Sequence, residues 1–273
     1  MRDLIERALA EDLGDGDLTT RAVVPANARA NATVVAKAGG VLAGVDIAEG
    51  VFRHVDSGIA IERRAADGDV LDPGREILRV EGSAASILAA ERVALNFLGR
   101  LSGVASLTAR YVAAVEGTGA RILDTRKTTP GMRELEKAAV RAGGGTNHRA
   151  GLYDAILVKE NHVRIAGGVR EAARRALISA PDGVTVEVEV ESLAELEEAL
   201  EAGIERVLLD NVGPDDLRAA VRLASGRSQL EASGGITLEN VRAVAETGVD
   251  FISIGALTHS APALDVSLLF KPE

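Results

Sequence analysis

Residues 184–211 read VTVEVEVESLAELEEALEAGIERVLLDN. From Val186 to Glu191 valine and glutamate alternate strictly, the period of a β-strand whose two side-chain sets face opposite ways. A helical pattern follows over 193–202, and a second strand-like run over 206–209 ends in Asp210-Asn211. Strand, helix and strand at this spacing form a βαβ unit, with parallel strands and a right-handed crossover. The same alternation extends to both sides. Strand-like runs fall at 121–124, 155–158, 184–190, 206–209, 229–232 and 251–254, with helical patterns at 134–141, 169–179, 193–202, 214–224 and 238–247. These units predict an α/β fold, an open and incomplete barrel of about six parallel strands. A doubly wound sheet would carry a Gly-rich turn after its first strand, and the chain has no G-x-G-x-x-G.

Residues 1–105 have a different texture. A short amphipathic helix carries Leu4, Ile5, Ala8 and Leu9 on one face. The acidic loop Glu11-Asp12-Leu13-Gly14-Asp15-Gly16-Asp17 follows, then short β-type runs at 32–37, 58–63 and 77–80, separated by the turns Asp67-Gly68-Asp69 and Asp72-Pro73-Gly74. A longer helix is expected over 83–100. The predicted organisation is a first domain at 1–105, a barrel at 106–260 and an apolar tail at 261–273 that docks on the first domain.

The chain has 273 residues, 31 basic and 41 acidic, for a net charge of −10. Against that background, 121–149 carries seven basic residues (Arg121, Arg126, Lys127, Arg133, Lys137, Arg141, Arg149) and three acids. A cationic island in an acidic protein points to a small, multiply negative ligand; a nucleic acid would favour a broad basic surface. With no Cys, disulfides, thiolate metal sites and a Cys nucleophile are excluded, and four dispersed histidines argue against zinc. No apolar run approaches the ~18 residues of a membrane span, so a cytoplasmic protein with no membrane or nucleic-acid partner is expected.

Barrel enzymes place their chemistry at the C-terminal ends of the strands. Here those ends read Asp124-Thr125-Arg126-Lys127, Val158-Lys159-Glu160, Glu187 to Glu191, Asp210-Asn211, Ser233-Gly234-Gly235 and Gly255-Ala256. Alternation turns Glu187, Glu189 and Glu191 inward. Buried like charges need a cation, either Mg²⁺ or lysines such as Lys127 and Lys159, and Asp210 on the next strand could share it. The plainer alternative is a solvated edge strand. The glycine loops after the last two strands suit a phosphate, with simple tight turns as their plainer reading. Arg126, Lys127, Arg149 and Lys159 together suit carboxylates and phosphates, and His148 stands beside Arg149 as a hydrogen-bond donor. His54, His162 and His259 show no partner pattern.

With these residues in view, the chain resembles the quinolinate phosphoribosyltransferase family over nearly its whole length. The resemblance rests on 11–17, Asn96-Phe97-Leu98-Gly99-Arg100-Leu101-Ser102-Gly103, 124–131, 147–154, Lys159-Glu160-Asn161-His162, 187–191, Leu209-Asp210-Asn211 and Ser233-Gly234-Gly235-Ile236. It implies an N-terminal α/β sandwich joined by the C-terminal tail, followed by the open barrel. It also implies conversion of quinolinate and phosphoribosyl pyrophosphate to nicotinate mononucleotide, pyrophosphate and CO₂ with Mg²⁺, in de novo NAD biosynthesis. By the same resemblance Arg126, His148, Arg149 and Lys159 bind the quinolinate carboxylates, and Lys127 lies between the two substrates. Glu189 and Asp210 hold the ribose hydroxyls and the metal, and the Ser233-Gly234-Gly235 and Gly255-Ala256 loops take phosphate. Lys127, Lys159, Glu189 and Asp210 are the catalytic set. Arg100 reaches the site of the partner subunit in a homodimer, with further assembly to a hexamer left open. The rival readings are a molybdenum-uptake paralogue of the same fold, a Schiff-base barrel lyase using Lys159, and a lipoyl-like carrier module modified at Lys37.

Overall fold

The strand at Arg29–Ala36 is exposed at its start and buried continuously from Ala32 onward, and the first unit is built around it. The structure is a computed structural model and describes residues 1–271. Its first elements are α1 (Arg2–Leu13), α2 (Leu18–Val23), β1 (Arg29–Ala36), β2 (Gly40–Val41), α3 (Val45–Val55), β3 (Ala60–Arg63), β4 (Val70–Leu71), β5 (Glu76–Ser83) and α4 (Ala84–Ala114). They continue with β6 (Arg121–Leu123), α5 (Arg133–Ala142), β7 (Ile156–Val158), α6 (Glu160–Ala166), α7 (Val169–Ser179), β8 (Val186–Val190) and α8 (Leu193–Glu201). The remainder are β9 (Arg206–Asp210), α9 (Pro214–Ala224), β10 (Gln229–Ser233), α10 (Val241–Ala245), β11 (Phe251–Ser253), α11 (Ala256–His259) and β12 (Val266–Lys271). Among the described residues no helix is long and apolar enough to cross a membrane.

The chain divides into two units: residues 1–109 with 129–144 and 260–273, and residues 110–128 with 145–259. In the first, an antiparallel sheet runs in the order β12-β1-β5-β3. The tail enters this sheet as a full edge strand, with Ala36 opposite Val266 and Asn31 opposite Lys271. Helix α5 groups with this unit although it follows β6 in sequence. The sequence reading missed α2, α3, α6 and α11 and the short strands β2 and β4, began the long helix one residue early and ended it too soon. Helix α3 is capped from a distance: both Asp67 carboxylate oxygens accept from the backbone, one from Gly44 N–H and the other from Val45 N–H, each at 3.0 Å. A cap supplied by a turn more than twenty residues away leaves no local start signal such as a Ser-x-x-Glu box.

Helix α4 carries Gly99 and Gly103 one turn apart, and the segment Pro262–Ala263–Leu264 lies against them. Leu264 N–H donates to Gly99 C=O at 2.8 Å. A Cβ on Gly99 would sit 2.9 Å from Leu264 C=O, and one on Gly103 would overlap the Pro262 carbonyl. The glycines are therefore a slot for backbone, which explains why they stand in the middle of a helix.

The second unit is the barrel. Its six strands run parallel in the order β6-β11-β10-β9-β8-β7. The first strand pairs with the last and the others follow in descending sequence. The only neighbours lacking a ladder among the described residues are β6 and β7. Beside that seam a single parallel bridge joins Leu123 to Thr146, just before the Asn147-His148-Arg149 segment. The valines of β8 are buried against the outer layer, as the alternation requires.

Replacing Gly103 with Ala should destabilise the protein. The better helix propensity of Ala returns about 1 kcal/mol, whereas overpacking against a fixed carbonyl costs about 1–3 kcal/mol. Denaturant titration of Gly103→Ala should show a lower midpoint, with Gly39→Ala as a control for an exposed glycine whose Cβ would make only an ordinary contact and whose φ is not positive.

Candidate active site

The barrel unit contains a cavity of about 390 Å³. It is lined by Thr125, Arg126, Lys127, His148, Arg149, Leu157, Lys159, Glu189, Leu208, Asp210, Glu231, Ser233 and Ser253. These residues come from the strands and from the segments that follow them. The volume suits a small-molecule site. Of the residues read from the sequence, Arg126, Lys127, His148, Arg149, Lys159, Glu189, Asp210 and Ser233 meet here. Gly234, Gly235, Gly255 and Ala256 stand behind this lining rather than in it. Arg100 lines a different cavity, of about 200 Å³ within the first unit, together with Glu11, Asp12 and Met132.

The loop after β6 is set by Asp124, which is fully buried. Its carboxylate accepts from Asn147 Nδ2 at 2.5 Å and from His148 N–H at 2.8 Å. The Lys127 carbonyl accepts from Thr258 Oγ1 at 2.8 Å, and a Cβ on Gly255 would lie 3.0 Å from the Lys127 Cδ. Gly255 thus makes room for the lysine stem as well as shaping its own loop. Gly234 has φ 91°, and a Cβ there would lie 2.6 Å from Asn211 Cγ. Asn211 itself takes the left-handed conformation at φ 56°. Glycine is therefore required where the loops after β9 and β10 touch.

Of the inward glutamates, Glu189 finds a lysine as the sequence suggested, and Glu187 finds other partners. Glu189 Oε2 accepts from Lys159 Nζ at 2.6 Å, so a lysine does serve there. Glu187 is matched by an imidazole and a guanidinium. His148 Nε2 lies 3.0 Å from its Oε2, and Arg206 Nε lies 3.2 Å from its Oε1. Glu191 is exposed beyond the end of β8, and its backbone N–H donates to Glu195. Glu231, which the sequence reading did not single out, is fully buried and ion-paired with Arg206. Arg206 in turn stacks on Phe251, 4.1 Å from the ring centroid. Glu231 was legible in principle, because alternation puts it on the same face as Ser233 of that strand.

Burial, and next the charge of Glu187, push the Glu231 carboxyl up to about 7. For Glu187 burial would also raise the value, but the His148 hydrogen bond and the Arg206 charge outweigh it and hold the carboxyl low. Burial, then the nearby Arg126 charge, pull Arg149 below the ordinary guanidinium value. Arg149 stays charged, and the direction of its shift means the pocket would gain from an added anion. His148 Nδ1 accepts from Arg149 N–H at 2.7 Å. With Nε2 on Glu187, both ring nitrogens face the protein, so the donor role toward a ligand read from the sequence has no free nitrogen to use. His148, Glu187 and Glu231 have the spacing of a metal site, but Arg206 already pairs with both carboxylates. Glu189 and Asp210 are a different case. Two carboxylates facing one pocket beside phosphate-type loops fit the oxygen ligands of Mg²⁺, which leaves much of its coordination to water and substrate phosphates.

Parallel barrel, strand-end cations, inward carboxylates and glycine loops define an enzyme that handles small polyanions. The sequence matches two family models, "Quinolinate phosphoribosyl transferase, N-terminal domain" over 17–102 and "Quinolinate phosphoribosyl transferase, C-terminal domain" over 104–269. The chain belongs to the quinolinate phosphoribosyltransferase family. It is 45% identical to the nicotinate-nucleotide pyrophosphorylase [carboxylating] of Mycobacterium leprae, over 98% of this chain and 96% of that protein. It is 43% identical to the probable nicotinate-nucleotide pyrophosphorylase [carboxylating] of Bacillus subtilis, over 98% and 92%. Among solved structures, NadC from Streptococcus pyogenes superposes with a TM-score of 0.94 at 42% identity, covering 99% of this chain and 96% of that one.

Because folding raises the Glu231 value from 4.5 to about 7, the folded state holds that proton more tightly than the unfolded chain does. The resulting stability is complete below the unfolded value. It falls away as pH rises and is gone once pH has passed through about 7, a change on the order of 3 kcal/mol. Glu231→Gln lacks this dependence. Urea denaturation at pH 5 and pH 8 should show the variant gaining on the wild type at the higher pH; a constant difference would mean that Glu231 ionises in the fold as freely as in the open chain.

Proposed function

We propose that this chain joins quinolinate to the ribose of phosphoribosyl pyrophosphate, releasing pyrophosphate and CO₂ and giving nicotinate mononucleotide for NAD synthesis. The observation that carries the reading is one pocket with Arg126, Lys127, Arg149 and Lys159 on some strand ends and Glu189 and Asp210 on others. The names of the relatives in Mycobacterium leprae and Bacillus subtilis support it. The molybdenum-uptake and carrier readings have no comparable support. Lys159 is ion-paired with Glu189, and a protonated lysine is a poor nucleophile, which counts against a Schiff base.

In this reading Arg126 and Arg149 clamp the two ring carboxylates, with Lys159 completing their neutralisation. Lys127 lies between the dicarboxylate and the phosphates, where it offsets their repulsion. The loops at Ser233-Gly234-Gly235 and Gly255-Ala256 offer backbone N–H groups to phosphate. Glu189 and Asp210 hold the ribose hydroxyls and would hold Mg²⁺, which would neutralise pyrophosphate charge. The pyridine nitrogen donates its lone pair to the anomeric carbon as the bond to pyrophosphate breaks and pyrophosphate leaves with that electron pair. Fixed carboxylates near the electron-poor carbon stabilise it electrostatically. As CO₂ departs, the electrons of the ring–carboxylate bond stay on the ring carbon, where the adjacent positively charged nitrogen stabilises them, and that carbon then takes a proton.

The same reading makes the enzyme cytoplasmic and a homodimer with shared sites, which leaves assembly to a hexamer open. Arg100 supports sharing. Its Nη2 donates to buried Glu136 at 2.7 Å and its Nη1 to Ala261 C=O at 3.0 Å, all within the first unit. Arg100 does not line the barrel pocket, and in this reading it serves the site of the partner subunit.

Purified protein should release CO₂ from carboxyl-labelled quinolinate only when phosphoribosyl pyrophosphate and a divalent cation are both present. Nicotinate, which lacks the second carboxylate, should be turned over far more slowly; equal turnover would remove the clamp role of Arg126 and Arg149. For the dimer, Arg100→Ala and Lys127→Ala should each be nearly inactive alone. Co-refolded in equal amounts, about half the dimers are hybrids with one intact site, so roughly a quarter of wild-type activity should return. Hybrids verified by differently tagged subunits but inactive would place Arg100 in its own subunit's site.

A further inference from the structure

The barrel interior below the pocket is charged, where barrels of this kind usually stack Val, Ile and Leu. Glu187 on β8 is opposite Arg206 on β9, and Glu231 on β10 is opposite Phe251 on β11. Arg206 bridges both carboxylates and lies flat on Phe251. One ring rises from this group toward the pocket: His148, whose Nε2 is 3.0 Å from Glu187 and 3.6 Å from Glu231. Its other nitrogen, Nδ1, accepts the Arg149 N–H at 2.7 Å. A nitrogen that accepts a backbone N–H carries no proton, so this geometry selects the tautomer with its proton on Nε2. Neutral burial of two carboxylates and one guanidinium requires that one acid keep its proton; the Oε1 atoms of Glu187 and Glu231 are both buried without a hydrogen bond, but Arg206 Nε lies 3.2 Å from that of Glu187, so Glu231 is placed to be that acid.

We propose that Glu187, Glu231 and Arg206 form a positioning array that locks His148 in its Nε2–H tautomer, and that the locked ring fixes the Arg149 backbone so that its guanidinium meets a ligand carboxylate. The proposal deepens the reading above and rests on it for the identity of the ligand. The segment is then held from two sides, by Asp124 through Asn147 and the His148 N–H, and by the His148 ring through the Arg149 N–H. Glu187 and Arg206 do not line the pocket, and Glu231, which does, is ion-paired with Arg206; all three act through His148.

The first test needs no variant. Long-range ¹H–¹⁵N spectra of histidine-labelled protein, with four histidines assigned by single substitution, should show His148 Nδ1 unprotonated and Nε2 protonated at neutral pH. An imidazolium, or a proton on Nδ1, overturns the proposal whether or not quinolinate is the ligand. The second test is kinetic. Glu187→Leu should raise KM for quinolinate about tenfold while KM for phosphoribosyl pyrophosphate and kcat change much less, and Glu187→Gln, whose amide oxygen still accepts the Nε2 proton, should restore most of the difference. If Glu187→Leu changes both KM values alike, or leaves the His148 spectrum unaltered, the array is merely structural. If quinolinate fails to bind the wild type while the tautomer is as stated, the functional reading fails and the array stands.

Discussion

A barrel that turns glutamates inward cannot fold until each finds a positive partner. Carboxylates taken out of water without one cost several kcal/mol apiece. In this chain the requirement is met at two depths. Near the mouth Lys159 answers Glu189. Deeper, Arg206 answers Glu187 and Glu231 together, with the His148 ring as the second contact. The depth decides the chemistry. At the mouth a flexible ammonium half exposed to water can exchange its carboxylate for a ligand. Below it, a planar guanidinium stacked on Phe251 cannot move without uncovering two acids. Function is confined to the upper layer because the lower one has no freedom.

Much of this architecture was legible in the chain because a single constraint wrote it. The period of two in β8 set which residues face inward, and repeated βαβ units set parallel strands with chemistry at one end. Eight of the twelve barrel positions anticipated for the site line the pocket for that reason, whereas Gly234, Gly235, Gly255 and Ala256 do not. What could not be read is equally physical. Helix α3 takes its cap from Asp67, so no neighbouring residue announces its start. Arg206 looked like an ordinary charge at a strand entrance, because its partners lie on strands far away in sequence. His148 looked like a donor to a ligand, since a sequence shows which atoms a ring has and not which are already engaged. Lysines seemed the natural partners of Glu187, whereas the register across β8 and β9 delivers an arginine.

The loops show the same economy of placement. Gly255 gives the Lys127 stem its room, and Gly234 lets the turn after β10 close on Asn211. In each case the missing side chain belongs to one loop and the benefit to another. A substitution there would be felt at the neighbouring strand end, which is why glycine loops in such a site are poor guides when each is considered alone.

The edge strand formed by the tail has a consequence for how the chain is made. β12 leaves the ribosome after every barrel strand, and its partner β1 before all of them. The slot on α4 is filled by the residues just before β12. All six barrel strands are synthesised between those two events. Domains often fold as they emerge, N-terminal first, but here the N-terminal unit must wait with an open sheet edge until β12 has been made. The barrel, though second in sequence, is the part that can finish first.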